Sequence, residues 1–299
     1  MSLPSRFADT HLHLWDLTTD LDYSWLKESD DGPLGKISEI RFDDWSPRRF
    51  DDDVRFSPPS FTVHVQATNI PTPSWDETAW LVGQRSSAGT PDAIVCRVDL
   101  RSTGLEAEIA ANLDSGAGLV RGVRDMTSMG TLGDPSLVSG LVRVAEAGLS
   151  WEASCDVSEL SLLRSLADRL PELTIVLGHN AWPSSRESDY HRRWLQGMKI
   201  LAEAPNVVCK VSAPGMFDHL WSVDSWKPFV HGSLEAFGAD RCMFGSNWPM
   251  ERAYAAYETQ LRVYSDILDG LSSAESDDFW FATAIRTYCN STDNEGNDA

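Results

Sequence analysis

Two histidines one residue apart, His11-Leu12-His13, end a short apolar run near the start of a 299-residue chain. In an extended strand residues i and i+2 face the same side, so both imidazoles project together. Two neutral imidazoles converging in this way form half of a divalent-metal site, although the same spacing also arises in packed strands and loops. By the same alternation Asp9 stands before them on that face. A third histidine, His179, ends a later apolar run on a glycine-flanked turn, Leu177-Gly178-His179-Asn180. It is a site candidate, the alternative being a hydrogen-bonded rim residue. Other apolar runs carry charge: Arg121 and Arg124, Glu152, and Lys210. Buried charges require partners, so the arginines call for carboxylates from the protein or from a ligand. Glu152 and Lys210 either pair across the interior, or Glu152 serves as a proton-transfer group. Pro249 turns the chain sharply away and leaves Asn247 at a rim, where by itself it reads as a turn residue. Of the remaining histidines, His219 follows a strand in a loop and is the next candidate; His64, His191 and His231 read as structural.

Something must carry these residues to one place. Eight short apolar runs, residues 7–14, 61–67, 93–98, 119–126, 149–155, 174–179, 207–213 and 241–247, are continuous enough to be strands buried on both faces. Between them lie helix-length stretches with apolar residues at three- and four-residue spacing, among them 136–147, 158–170, 191–204 and 254–268. Pro135-Ser136 and Asp156-Val157-Ser158 supply helix starts, and Gly148 a stop. Eight alternating strands and helices, with no GxGxxG after any strand, predict a parallel (β/α)8 barrel rather than an open doubly wound sheet. In such a barrel the chemistry gathers at the C-terminal ends of the strands. The expected organisation is one barrel domain over 1–290 and a flexible polar tail over 291–299. Residues 16–59 break the rhythm: a long insertion after the first strand, rich in Asp, Arg, Trp and Pro, that is either a lid or a flap packing its own tryptophans.

Composition narrows the partners. Lysine and arginine number 25 against 45 acidic residues, a net charge of −20, which argues against nucleic acid and anionic membrane surfaces. An anionic substrate would be received by a local cluster of arginine or lysine. The five cysteines include no CxxC pair and read as free thiols in a reducing compartment. With no leader-like or bilayer-length apolar run, the expected address is cytoplasmic. Assembly into a homo-oligomer is left open.

In order and spacing, Asp9-Thr10-His11-Leu12-His13-Leu14-Trp15-Asp16, Tyr23-Ser24-Trp25-Leu26, Arg121-Gly122-Val123-Arg124, Gly178-His179, the 206–212 segment with Lys210 and the 241–249 segment ending Gly245-Ser246-Asn247-Trp248-Pro249 resemble the amidohydrolase family that contains sugar-lactone hydrolases and 2-pyrone-4,6-dicarboxylate lactonase. The likeness runs from about residue 8 to 289. It implies a site made of His11, His13, His179 and an aspartate on strand eight, with one divalent metal (Zn or Mn) in some members and none in some lactonases. It also implies that Arg121 and Arg124 bind a substrate carboxylate. Two positions depart from the family: Asn247 stands where the aspartate belongs, and Gly178 precedes His179 where aspartate is frequent. An amide cannot act as a base near neutral pH. The expectation is hydrolysis of a lactone or similar cyclic ester of a small acid, with His179, poised near neutral pH, as base and Glu152 as second candidate. His11, His13 or a loosely held metal would polarise the carbonyl, and Asn247 would orient water or substrate. Lys210, Gln66, His219, Trp15, Tyr23, Trp25 and Trp248 are expected to contact substrate by position. The alternatives are a lactone isomerase, a decarboxylase or other lyase, and a barrel that binds a ligand without turning it over.

Overall fold

Each of the eight apolar runs contains one strand: β1 (Ala8–Leu12), β2 (Phe61–Val65), β3 (Ala93–Arg97), β4 (Val120–Arg124), β5 (Ser150–Ala153), β6 (Ile175–Leu177), β7 (Val207–Val211) and β8 (Cys242–Phe244). The computed structural model describes residues 3–32 and 34–289. The acidic stretch 291–299, expected to be a flexible tail, lies outside the described residues. All neighbouring strands pair in parallel, in the order β1 to β8. The ring closes through main-chain bonds, Asn247 N to His11 O and His13 N to Trp248 O, both 2.7 Å. The result is a (β/α)8 barrel.

The strands are shorter than the apolar runs because the C-terminal ends of several runs leave the sheet. Residues 178–181 form a tight left-handed turn after β6 (Gly178–Ala181), so His179 sits beyond its strand. Helices follow the apolar periodicity closely. Asp134 caps the helix Pro135–Glu146 by accepting from Ser136 N, Pro135 takes the first turn, and Gly148 (φ +69°) follows its end. Asp156 instead closes a turn on Ser158, and the next helix starts at Leu160 (Leu160–Arg169).

Inside the barrel, the N-terminal ends of the strands pack a small apolar plug: Ala8, Val63, Val95, Val176 and Met243 against Ala284 and Tyr288 of the last helix (Thr283–Tyr288). A second, larger core lies between strands and helices and holds the fully buried Trp151, Trp194 and Trp226. Each such side chain contributes about 1.5–3 kcal/mol of burial or more. Cys96, Cys155, Cys209 and Cys242 are buried thiols in these layers.

The insertion packs its own tryptophans, and it also borders the cavity. Trp15 and Trp45 exchange backbone hydrogen bonds, 3.1 and 2.9 Å, which pins it to the end of β1. Trp15 packs edge-on against Trp25 and Trp45, and Trp45 against Trp248, with centroids 5.2–6.1 Å apart. Its other edge, carrying Trp25, Glu28 and Leu34, leans over the mouth of the barrel.

Candidate functional site

The C-terminal ends of the strands surround a cavity of about 380 Å³, whose floor carries His13, His179, Arg124, Gln66 and Asn247. The bend in β1 register between Asp9 and Leu12 brings His11 and His13 into the interior. The His11 ring lies 5.0 Å from that of His13 and 4.4 Å from that of His179. Three imidazoles from two strand ends therefore cluster, with His11 in contact with the other two. Each of the outer two is oriented by a bond from its other nitrogen. His13 Nδ1 lies 2.7 Å from Val65 O. A carbonyl only accepts, so the proton is on Nδ1 and Nε2 carries a lone pair. His179 Nδ1 lies 2.6 Å from Ser212 Oγ. His11, beneath them, has neither ring nitrogen hydrogen-bonded to another residue, and its Nδ1 is 3.9 Å from Glu152 Oε2.

Backbone conformation marks the same rim. Among the described residues seven non-glycines have positive φ, and six of them are His179, Asn180, Ala181, Trp182, Ala213 and Asn247, just after β6, β7 and β8. Side chains rarely adopt this region, and such strain concentrates where function requires a fixed geometry.

Burial keeps the imidazoles neutral. The rings of His11 and His13 are held well below the ordinary histidine range, first by burial and then by neighbouring groups: His179 and Lys210 for His11, Arg124 and His64 for His13. Burial, then the charges of Arg124 and Lys210, brings His179 down to about 3. A base poised near neutrality was expected there; the resting ring is uncharged across the working pH range. Arg124 is lowered by burial to about 10 and remains a cation. Its Nε and Nη2 donate to Gln66 Oε1 (2.7 Å) and Gln66 O (2.9 Å), which fixes the fork in the floor.

Several expected contacts lie elsewhere. Arg121, three residues nearer the start of β4, donates from Nε to Tyr288 O in the last helix, not into the cavity. Lys210 and Glu152 are buried against each other, and Tyr288 Oη donates to the same Glu152 Oε1 at 2.7 Å, so the ammonium is committed below the cavity. Trp15 donates to Asp43 O, and Trp248 to Asp53 Oδ2; both pack the insertion instead of facing a ligand. Tyr23 is buried in the same aromatic cluster. His219 is exposed and stacks on Tyr254. Asp9 is drawn outward: it accepts from Ser246 N (2.9 Å), His11 N (3.3 Å) and Tyr257 Oη (3.0 Å), clamping β1 to the end of β8. His64 bridges Leu14 N and Glu77, and His191 and His231 reach helix carbonyls, as structural histidines do. Trp25, by contrast, lines the cavity with its indole N–H bonded to Ala67 O at 2.6 Å.

Other residues were not foreseen. Met126, Met129, Met216, Met250 and Trp182 form the cavity wall, and nothing in their sequence spacing distinguishes them from core residues. Glu251 is completely buried beside Asn247, accepting from Gly215 N (2.8 Å), Met216 N (3.1 Å) and the Asn247 amide. Burial raises it to about 7. Its position four residues after Asn247 was the available signal. Asn247 Nδ2 also donates to Met216 Sδ, which leaves Oδ1 as its uncommitted polar atom.

A resident divalent cation needs three or four donors converging on one point. Among the described residues no group of three or more His, Cys, Asp or Glu side chains gathers closely enough to hold one. The strand-eight donor is a neutral amide, and the charge of Glu152 is neutralised through Oε1 by Lys210, with Tyr288 on the same oxygen, although Oε2 has no hydrogen bond. The residues present do not fit such an ion.

The family model described as "Amidohydrolase" matches residues 8–288. The chain belongs to the amidohydrolase family. It is 28% identical over 301 residues to the uncharacterized protein y4mH of Sinorhizobium fredii, covering 94% of this chain and 97% of that one. It is 29% identical over 250 residues to an L-fucono-1,5-lactonase of Burkholderia ambifaria, covering 82% and 80%. A crystal structure of an amidohydrolase from Burkholderia multivorans, with bound Zn, superposes with a TM-score of 0.80 at 24% identity over 95% of this chain and 99% of that one. This amidohydrolase is accordingly an enzyme on the fold its family uses. Among the described residues no helix is long and apolar enough to cross a membrane.

Proposed function

We propose that this amidohydrolase opens the ring of a lactone of a small carboxylic acid by adding water. The observation that carries the reading is the floor of the cavity: a buried guanidinium facing the same space as two neutral, oriented imidazoles. The lactonase relative supports the substrate class. The family and a Zn-bearing fold neighbour make a divalent metal a class expectation, but the donors of this chain do not suit one, and the chemistry follows from its own side chains.

Arg124 receives the substrate carboxylate in a charge-assisted bond and sets the ring over the imidazoles. Water lies between His13 Nε2, which accepts one of its protons in a hydrogen bond, and His179 Nε2, which removes the other. The water oxygen attacks the lactone carbonyl carbon. As the ring C–O bond breaks, His179 returns the proton to the departing alkoxide, giving the hydroxy acid. A ring held near 3 is a weak base, and the substrate offsets part of this. Burial, the first cause of the depression, stays; Arg124 is the second, and a bound carboxylate cancels its charge and so raises His179. Asn247 Oδ1 accepts from water or from a substrate hydroxyl.

The test is initial-rate hydrolysis of carboxylated and uncharged lactones by the wild type and His179→Ala. The variant should lose about 100-fold or more in kcat, the usual worth of a general base. Uncharged lactones should suffer in kcat as well as KM. An unchanged kcat in His179→Ala removes the assignment, and carbon dioxide released without water uptake replaces hydrolysis by decarboxylation.

A further inference from the structure

The walls of the cavity differ from its floor. Met126 and Met129 come from the segment after β4, Met216 from that after β7 and Met250 from that after β8, and Trp25 and Trp182 face them from the insertion and the turn after β6. These side chains offer few hydrogen-bonding atoms. The Trp25 N–H is committed to Ala67 O, and the Trp182 N–H is the one indole donor of the wall without a partner. The polar atoms lie below, on His13, Gln66, His179, Asn247 and Arg124, and otherwise on Asn69 and on Glu28, which is exposed at the outer rim. A polyhydroxylated ring placed here would exchange its water for thioether and indole faces, leaving several hydroxyls unsatisfied. Thioethers instead adapt to apolar groups of irregular shape.

Charge is equally restrictive. Among the described lining residues Arg124 is the one cation, because the histidines are neutral, Lys210 is paired with Glu152 and Arg121 turns to the last helix. One guanidinium matches one carboxylate. A second carboxylate reaching the mouth would meet Glu28.

We infer that the substrate is a lactone bearing a single carboxylate and an apolar arm, alkyl or aryl, with the carboxylate on Arg124 and the arm against the methionine and tryptophan wall. This rests on the lactonase reading above and narrows it.

The experiment compares three lactones: one carboxylated with a butyl or benzyl arm, one carboxylated with hydroxyls in place of the arm (an aldaric acid monolactone), and one dicarboxylated. Each is assayed for ring opening, and its carbocyclic ketone, which cannot be hydrolysed, is titrated by calorimetry. The arm-bearing member should lead by at least about tenfold in both kcat/KM and affinity, the scale set by a few apolar contacts. Met129→Gln combined with Met250→Gln should shrink that margin. Equal or tighter binding of the polyhydroxylated or dicarboxylated ketone overturns the inference, whatever the rates. If the arm-bearing ketone binds best and no lactone is opened, the ligand class stands and the hydrolase reading falls. If the polyhydroxylated lactone is opened fastest and its ketone binds best, hydrolysis stands and the ligand class falls.

Discussion

Two layers of the barrel interior carry buried polar groups, and they are built in opposite ways. In the lower layer Glu152 is bonded through Oε1 to Lys210 and Tyr288, with Oε2 free of hydrogen bonds, and the Lys210 ammonium also lies 5.1 Å from the Tyr288 ring centroid. In the upper layer His11 lacks a hydrogen-bond partner at both nitrogens, His13 and His179 each spend one nitrogen on orientation, and Arg124 keeps part of its fork uncommitted. Both layers consist of charged or titratable residues carried in or next to the apolar strands, with Tyr288 added from the last helix. What separates a structural charge from a chemical one is whether an opposite charge already neutralises it.

The sharpest way to break this comparison is Glu152→Ala. If the lower layer is structural, the variant leaves Lys210 buried and unpaired and should lose about 3–5 kcal/mol in urea denaturation. Joint replacement, Glu152→Gln with Lys210→Met, should recover much of that. A stable Glu152→Ala protein with abolished turnover would transfer Glu152 to the chemical layer.

Glu251 is an intermediate case, a buried carboxylate held only by two backbone N–H groups and an amide. Its folded value, about 7, lies above its ordinary 4.5. The folded state therefore binds the proton more tightly than the unfolded one. Its contribution is present in full below pH 4.5 and is lost as pH rises through 7, a change of about 3 kcal/mol. Relative to wild type, Glu251→Gln should gain stability between pH 5 and pH 8 in denaturant titrations. A difference that stays flat with pH would show the carboxylate to be better solvated than its burial implies.

Arg124→Gln should raise KM for a carboxylated lactone roughly 10- to 100-fold, the worth of a charge-assisted hydrogen bond, while for an uncharged one KM stays unchanged and kcat rises, because the charge that depresses His179 is gone. Equal effects on both would mean that Arg124 acts on the scissile carbonyl instead. The smallest effect is expected away from both layers: Asp53→Ala removes the acceptor of the Trp248 indole and of Arg252 and should cost about 1 kcal/mol by thermal denaturation, with kcat unchanged.

Much of this architecture is legible in the residue order. The eight apolar runs, the helix start at Pro135-Ser136 and the family motifs mark a barrel and place His13, His179, Arg124 and Asn247 at its C-terminal mouth, where they lie, with His11 just beneath. Strand alternation did not anticipate the bend after Asp9, which turns that carboxylate toward β8 and Tyr257. Nor did it divide Arg121 from Arg124: the two share one motif, but β4 shifts register against β3 between Val120 and Gly122, and Arg121 reaches Tyr288 O at the N-terminal end of the barrel while Arg124 reaches the cavity. Trp15 and Trp248 look like cavity walls by position, yet the insertion folds back onto them and buries them in its own aromatic cluster.

The chain's local chemistry was decisive for everything that depends on periodicity: apolar runs of strand length make buried parallel strands, and eight of them close. Tertiary structure alone decided the state of each polar group. Whether Lys210 is a ligand or half of an ion pair, whether His179 is charged, and whether a methionine faces core or cavity all depend on neighbours more than fifty positions away in the chain or on how completely water is excluded. Desolvation and partner geometry are properties of the folded interior, and no spacing rule encodes them.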